Sequence, residues 1–218
     1  MSRNGWVCLV SMFLLSLSAE ASLEWEQKKV SLEVHPSQVS ATAVFRFENA
    51  GEETIALQEV KAGCGCLSSR MAKETYVPGE KGLLEIKMDL RNRTGKQKKT
   101  TTVRTSDGRR AQLMVEVNIP QAYRILPRMV TWHQGDDAES KSVRLVNDNK
   151  LPIKLQAVRS SHGHLAAELK TIREGYEYEV AITRKIPDRG IRSFVRIIPE
   201  PPPGQAKAKE LMIYAHVQ

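Results

Sequence analysis

The chain has 218 residues, of which 33 are lysine or arginine and 25 are aspartate or glutamate, giving a formal net charge of +8 at pH 7. A chain of this length can form one or two domains with ordinary hydrophobic cores, so a fold held together mainly by disulfides is excluded. The positive charge weakly favours a location near anionic envelope polymers or membrane surfaces.

The first segment predicts export. Arg3 precedes an apolar run from Trp6 to Leu17, and Ala19-Glu20-Ala21 fits the cleavage site of a secretory signal peptide. The apolar run is shorter than the about 20 residues that cross a bilayer. We therefore expect residues 1–21 to be a cleaved signal peptide, although a short buried helix is the alternative. The mature chain is then periplasmic or extracellular and has no membrane span.

Strand patterns dominate the rest of the sequence. Three segments alternate apolar and polar residues with a period of two, which is typical of half-buried antiparallel strands. Turn signals such as Pro78-Gly79-Glu80 separate them. The residues expected to face the core are Ala43, Phe45, Phe47, Leu84, Ile86, Met88, Leu90, Leu113, Val115, Val117 and Ile119. About seven short strands per 100 residues favour a sandwich of immunoglobulin type.

The sequence also contains an internal repeat. Residues 45–67 align without a gap on residues 143–165, and eight of the 23 positions are identical. The final strand keeps the same offset of 98 residues. We therefore expect two tandem immunoglobulin-like antiparallel sandwiches, residues 22–120 and residues 121–218.

The first copy carries two cysteines around one glycine, Cys64-Gly65-Cys66. A bridge between them closes only about three residues, and in the chain-entropy model it contributes only about 1.6 kcal/mol. A local disulfide that shapes this corner, a metal site, thiol exchange with a partner, and an inert reduced pair all remain open.

The repeat places His162-Gly163-His164 at the position of the cysteines. Two thiolates with one further ligand suit copper(I), whereas zinc requires three or four protein ligands. Cys64, Cys66, His162 and His164 are therefore candidate copper or zinc ligands, in two separate sites if the domains lie end to end. A polar turn is the alternative for the histidines, and otherwise we expect no cofactor.

The segment from Arg91 to Arg110 is strongly basic and alternates lysine with threonine. This pattern is typical of a solvated edge strand, on which lysines discourage strand pairing between molecules. The alternative is a site for phosphate-bearing envelope polymers. Nucleic acid is not expected, because no aromatic residues are interleaved for base stacking. The candidate polyanion-binding residues are Arg91, Arg93, Lys96, Lys98 and Lys99.

A proline-rich segment runs from Ile198 to Glu210, before the last strand of the second copy. Proline disfavours strand pairing there and favours an extended connection. The alternative is a surface that docks a partner.

The first copy, from about Ala41 to Ile119, resembles an uncharacterised bacterial family of exported proteins. The resemblance rests on a strand that ends in an Asn49-Ala50-Gly51 turn, the Cys-Gly-Cys element, the Pro78-Gly79-Glu80 turn and the amphipathic strand that follows. The family is similar to Hydin-like immunoglobulin domains, which implies a binding or scaffolding module. The second copy lacks the cysteines and the Pro-Gly-Glu turn.

No phosphate-binding loop, nucleophile elbow or paired carboxylate is evident, so we do not expect an enzyme. The sequence favours an exported, non-enzymatic module of the bacterial envelope that binds a protein or an envelope polymer. Metal handling and thiol exchange through Cys64 and Cys66 are the alternatives.

Overall fold

The computed structural model describes residues 23–133, 136–185 and 190–218, and within these ranges the chain forms seventeen β-strands and no helix. No segment in this described part is a helix long and apolar enough to cross a membrane. The predicted signal peptide, residues 1–21, lies outside the described residues. The strands form two sandwiches, and each encloses its own hydrophobic core.

The first sandwich packs a four-stranded sheet, in the order β1-β3-β7-β5, against a five-stranded sheet, in the order β2-β9-β8-β4-β6. Its strands are β1 (Leu23–Trp25), β2 (Lys29–Glu33), β3 (Ser40–Asn49), β4 (Ile55–Ala62), β5 (Leu67–Met71), β6 (Thr75–Tyr76), β7 (Lys81–Asp89), β8 (Gly95–Thr105) and β9 (Arg110–Ile119).

The second sandwich packs a sheet in the order β10-β12-β15-β14 against a sheet in the order β11-β17-β16-β13. Its strands are β10 (Arg124–Leu126), β11 (Met129–Trp132), β12 (Ser140–Val146), β13 (Leu155–Ser160), β14 (Leu165–Arg173), β15 (Glu177–Arg184), β16 (Ile191–Pro199) and β17 (Leu211–Val217).

The two strand orders correspond element by element once the two-residue strand β6 is set aside. The prediction of two tandem immunoglobulin-like sandwiches is therefore confirmed. One detail differs from a purely antiparallel arrangement, because β2 pairs with β9 and β11 with β17 in parallel. Before each of these short edge strands, the chain crosses over from the opposite sheet. The strand is therefore not joined to its neighbour by a hairpin, which would have made the pair antiparallel.

The predicted alternation along the strands of the first copy is confirmed. Every residue that was expected to face the core has at most 2% of its surface exposed. Because successive side chains of a strand point to opposite faces, these positions also fix which residues face solvent.

A buried asparagine holds the same corner in both copies. The Asn49 side-chain amide donates to the carbonyls of Glu53 at 2.8 Å and Tyr76 at 3.0 Å, and its oxygen accepts the Gly51 amide. Asn147 does the same with the carbonyls of Leu151 and Gly175 and the amide of Asn149. The repeat seen in the sequence is therefore also a repeat of local hydrogen bonding.

Candidate functional site

The Cys-Gly-Cys element forms the crossover from one sheet of the first sandwich to the other, between β4 and β5. It begins at Gly63, whose amide donates to the Thr100 carbonyl at 2.9 Å. A Cβ atom at Gly63 would lie 2.5 Å from that carbonyl oxygen, closer than real Cβ contacts allow. Glycine is therefore required here for the close approach of two backbones.

Cys64 and Cys66 face each other across the bend. Their Cα atoms are 5.2 Å apart and their sulfur atoms are at covalent-bonding distance. Cys66 is buried, at 8% exposure, and packs with the first core, whereas Cys64 is half-buried. As a whole residue, Cys64 is thus the more exposed of the two. The oxidation state of the exported protein stays a prediction.

The histidine corner of the second copy has the same backbone hydrogen bonds as the cysteine corner. Leu67 donates to Cys64 and Leu165 to His162, each at 3.2 Å. Asp89 donates to Cys66 and Lys185 to His164, each at 2.9 Å. In the third pair of equivalent hydrogen bonds, the Gly63 amide donates to the Thr100 carbonyl and the Ser161 amide donates to the Phe194 carbonyl, each at 2.9 Å.

The histidine corner therefore adopts this backbone geometry without any disulfide. It follows that the corner is held by its hydrogen bonds, and that a bridge between the cysteines is not needed to form it. The equivalence also places His162 and His164 side by side, with ring centroids 4.2 Å apart and ring planes perpendicular.

The structure brings two candidate metal donors together in each corner. Among residues 23–133, 136–185 and 190–218, no group of three or more histidine, cysteine, aspartate or glutamate side chains is placed to hold a metal ion. A zinc site needs at least three protein ligands, so neither corner meets that requirement by itself. The proposal that copper binds reduced Cys64 and Cys66 stays a prediction.

A groove of about 560 Å³ lies beside the cysteine corner, at the junction of the two sandwiches. Residues from both copies line it, including Cys66, Ser68 and Lys87 from the first and Lys207, Lys209 and Met212 from the second. The cysteine corner therefore faces a concave surface that neither copy forms alone. The histidine corner lies between β13 and β14, within the second sandwich.

Lys209 fastens the two sandwiches together at this groove. Its amide donates to the Ser37 carbonyl at 2.7 Å, and its ammonium donates to the Arg93 carbonyl at 2.5 Å. The side chain is buried, and desolvation lowers the pKa of the ammonium. Lys209 belongs to the proline-rich connection, so part of that connection docks onto the first copy.

The basic segment does not form the predicted edge strand. Strand β8 is the central strand of the five-stranded sheet and pairs with β9 and β4. Its inward residues Thr101, Val103 and Thr105 are buried, while Lys96 and Lys98 occupy the solvated face. The edge-strand prediction was wrong because a central strand of a half-solvated sheet shows the same alternation of lysine and threonine.

The five candidate polyanion-binding residues make different contacts in the structure. Arg91 hydrogen-bonds Asp89 at the rim of the groove and lowers the pKa of that carboxyl to about 2. Lys98 forms a 2.9 Å ion pair with Glu116. Lys96 is exposed, Lys99 is half-buried, and the main chain of Arg93 accepts Lys209. These five residues therefore have different surroundings, and polyanion binding by them stays a prediction.

The sequence reasoning missed the groove. Its lining comes from strands and loops far apart in the chain, and only the repeat indicated that two copies would meet. One weak signal for the groove was the proline-rich connection that contains Lys209, because a docking surface was the alternative interpretation of that segment.

Residues 23–119, the first sandwich, match the model of a family described as a protein of unknown function (DUF1573). This is the copy whose motifs resemble an exported bacterial family, while the likeness to Hydin-like domains stays a prediction. A comparison with curated proteins gave no match.

Three solved structures show low similarity to this chain. The Vibrio cholerae VesB protease is 15% identical with a TM-score of 0.38, and the match covers 44% of this chain but only 31% of VesB. The PapD-like domain 7 of human CEP192 is 11% identical with a TM-score of 0.39, over 56% of this chain and 98% of that domain. The E. coli chaperone DraB is 13% identical with a TM-score of 0.37, over 88% of this chain and 98% of DraB. The fold assignment rests on the strand order described above.

Proposed function

We propose that the protein is an exported, non-enzymatic module of the bacterial envelope that holds a protein partner in the groove between its two sandwiches. The observation that carries this proposal is the groove itself, which both copies line and which Lys209 fixes. Clefts at domain interfaces are preferred places for binding, because side chains from two rigid units converge there.

The chemistry of the lining favours binding over catalysis. Of the described residues that line the groove, none is a histidine. The Asp89 carboxylate at its rim is occupied by Arg91, which keeps it ionised and removes it as a general base near neutral pH. Met212 and Leu67 supply apolar surface, and Lys87 and Lys207 supply positive charge. These are means of recognising a partner.

Site-specific photocrosslinking tests this proposal. A photoreactive amino acid at Ser68 or at Ala208 places the probe in the groove from either copy. The same probe at Gln112, an exposed position on the other sheet of the first sandwich, is the matched control. We expect the two groove probes to capture the same envelope protein and the control probe to capture none. The groove proposal is overturned if the control captures the same protein, or if neither groove position captures any.

Export is tested separately. The full chain, expressed in a bacterial host, should be recovered from the periplasmic fraction with a mass that begins at Ser22. Recovery of the uncleaved chain in the cytoplasm would contradict the localisation without bearing on the groove.

Thiol exchange is a second candidate function. Two observations favour it: Cys66 lies in the wall of the groove, and the backbone of the corner does not need the disulfide to keep its geometry. A partner thiolate attacks the Cys64 sulfur, the Cys64–Cys66 bond breaks, and Cys66 leaves as a thiolate. A second partner thiol then displaces Cys64, so that the partner is oxidised to a disulfide and both cysteines are reduced.

A cysteine trap tests this candidate. Cys66→Ala leaves Cys64 as a thiol without its neighbour, so the trap uses the reverse direction: the Cys64 thiolate attacks the disulfide of the oxidised partner, and one partner sulfur leaves as a thiolate. We expect this mixed disulfide to accumulate, because no Cys66 thiolate is present to displace the partner from Cys64, and a reductant should release it. The double variant Cys64→Ala/Cys66→Ala is the control. An equal yield of adduct from both variants would rule out exchange at this corner.

A further inference from the structure

The solvent face of one sheet of the second sandwich has an unusual composition. Its four strands, β11, β17, β16 and β13, contain no aspartate, no glutamate and no lysine, yet they contain three arginines. The alternation of buried positions in β16 and β17 places Arg192, Arg196 and Phe194 on the solvent side of the sheet. Within these four strands, no arginine has an acidic side chain directly opposite it.

Apolar side chains occupy the centre of this face. Met129 lies opposite Tyr214, and Tyr214 lies opposite Phe194, so the three form one row across the sheet. Met212 follows on the same face of β17, next to that row. Met129 is 58% exposed, Tyr214 48% and Met212 38%. This is a contiguous apolar surface open to solvent, and such surfaces mark sites of interaction.

Arginines flank the apolar row. Arg192 and Arg196 lie two residues on either side of Phe194 along β16, and Arg159 lies directly opposite Arg196 on β13. Like charges directly opposite each other across a strand pair are destabilising. Among the described residues, none of these three arginines forms an ion pair. The sheet thus tolerates an unfavourable arrangement, which is typical of a surface selected for binding.

The equivalent face of the first copy is built differently. There Glu116 lies between Lys29 at 2.8 Å and Lys98 at 2.9 Å, and these two lysines lower its pKa to about 2. That face therefore contains cations that share an acidic partner, whereas its counterpart combines arginines with apolar residues. Since the two faces have the same strand order, the difference lies in side chains and not in architecture.

We propose that this face, hereafter the arginine face (Met129, Arg159, Arg192, Phe194, Arg196, Met212 and Tyr214), docks a protein whose surface has an apolar centre and a rim of carboxylates. Phenylalanine, tyrosine, methionine and arginine are enriched at protein interfaces, and lysine, glutamate and aspartate are depleted. The face has this composition, and arginine matches carboxylates through paired hydrogen bonds. The inference rests on the proposed function as a binding module, and it adds a surface and a partner chemistry.

The arginine face also adjoins the groove. Met212 lines the groove, and Met212 and Tyr214 both line a second depression at the junction of the two sandwiches. A protein that is seated in the groove and extends over the second sandwich would therefore contact Met212 first and the apolar row next.

The test uses defined probes with the mature chain. A fluorescent 12-residue peptide that alternates glutamate with leucine or phenylalanine is titrated and its anisotropy measured. Peptides in which lysine replaces glutamate, or serine replaces the apolar residues, are compared with it. Vesicles containing phosphatidylglycerol represent a membrane surface.

We expect saturable binding of the acidic apolar peptide alone. Arg192→Glu/Arg196→Glu should weaken it at least tenfold, and Tyr214→Ala should weaken it several-fold. The matched control is Lys61→Glu/Arg104→Glu, which changes the net charge equally on the equivalent sheet of the first copy and should leave affinity unchanged. Circular dichroism verifies that each variant is folded.

Four results would overturn the inference. Equal binding of the glutamate–serine peptide would mean that the apolar row has no role. Equal weakening by both double variants would mean that only net charge matters. Binding to the vesicles but not to the peptide would identify a membrane surface as the occupant. If the groove probes still capture a partner whose capture is unaffected by Arg192→Glu/Arg196→Glu, the binding module stands and the arginine face does not.

Discussion

Reduction of the Cys64–Cys66 pair should destabilise the first sandwich only slightly. The bridge closes a loop of three residues, for which the chain-entropy model gives about 1.6 kcal/mol. The backbone on both sides stays in place through three hydrogen bonds, and the histidine corner makes the same three without a bridge. The expected loss in the free energy of unfolding is therefore about 1.6 kcal/mol or less.

Each sandwich carries its own fluorescent reporter for this measurement. Trp25 packs on Phe47 at the first core, with ring centroids 4.9 Å apart, and Trp132 is fully buried in the second. Urea unfolding of Trp132→Phe follows the first sandwich, and Trp25→Phe follows the second. Each variant is unfolded with and without a phosphine reductant.

We expect the reductant to shift the Trp25 transition slightly and to leave the Trp132 transition unchanged, because the second sandwich has no cysteine. A loss above about 3 kcal/mol in the first sandwich, well beyond the loop-closure value, would refute the conclusion that hydrogen bonds hold the corner. A shift of the Trp132 transition by the same amount would show that the two sandwiches unfold together.

Three further predictions concern stability. Asn49→Ala removes three hydrogen bonds from a buried corner and should cost about 2–4 kcal/mol in the first sandwich, and Asn147→Ala should cost the same in the second, each measured by urea unfolding. Gly63→Ala should cost about 1–3 kcal/mol, because its Cβ would meet a backbone carbonyl. Gly65→Ala should be nearly neutral, because a Cβ there would have no atom within 4 Å apart from its chain neighbours, and equal effects of the two substitutions would contradict the geometry. The pKa of Glu116 is lowered from 4.5 to about 2, so the ionised carboxylate stabilises the fold above pH 4.5, and this stabilisation is lost as the pH falls through about 2. Glu116→Gln should therefore make the urea midpoint less dependent on pH in the acid range. An unchanged pH profile would count against the ion pairs.

The fold could be predicted well because each of its determinants is local. Period-two alternation identified the inward residues of β3, β7 and β9, and the constant offset of 98 residues identified the second copy. Asn49 and Asn147 were already paired in that alignment, and the structure gives them the same hydrogen bonds. Patterns within a strand or between repeats need no knowledge of which strands become neighbours.

The site was less accessible, because it depends on contacts between distant segments. The central position of β8 could not be distinguished from an edge, since alternation reports which face is buried and not which strands lie alongside. Lys209 was hidden for another reason, because a lysine in a proline-rich connection gives no sign that its ammonium will be desolvated. The arginine face became evident only when the two copies could be compared strand by strand.

The matched corners also have a consequence for engineering. The backbone at residues 161–165 already has the hydrogen bonds of residues 63–67. The double substitution His162→Cys/His164→Cys should therefore allow a second disulfide to form without redesign of the loop. The same exchange in reverse, Cys64→His/Cys66→His, would give a redox-silent first copy. The two copies therefore contain corners of the same backbone geometry, and the side chains at each corner can be changed without changing the fold.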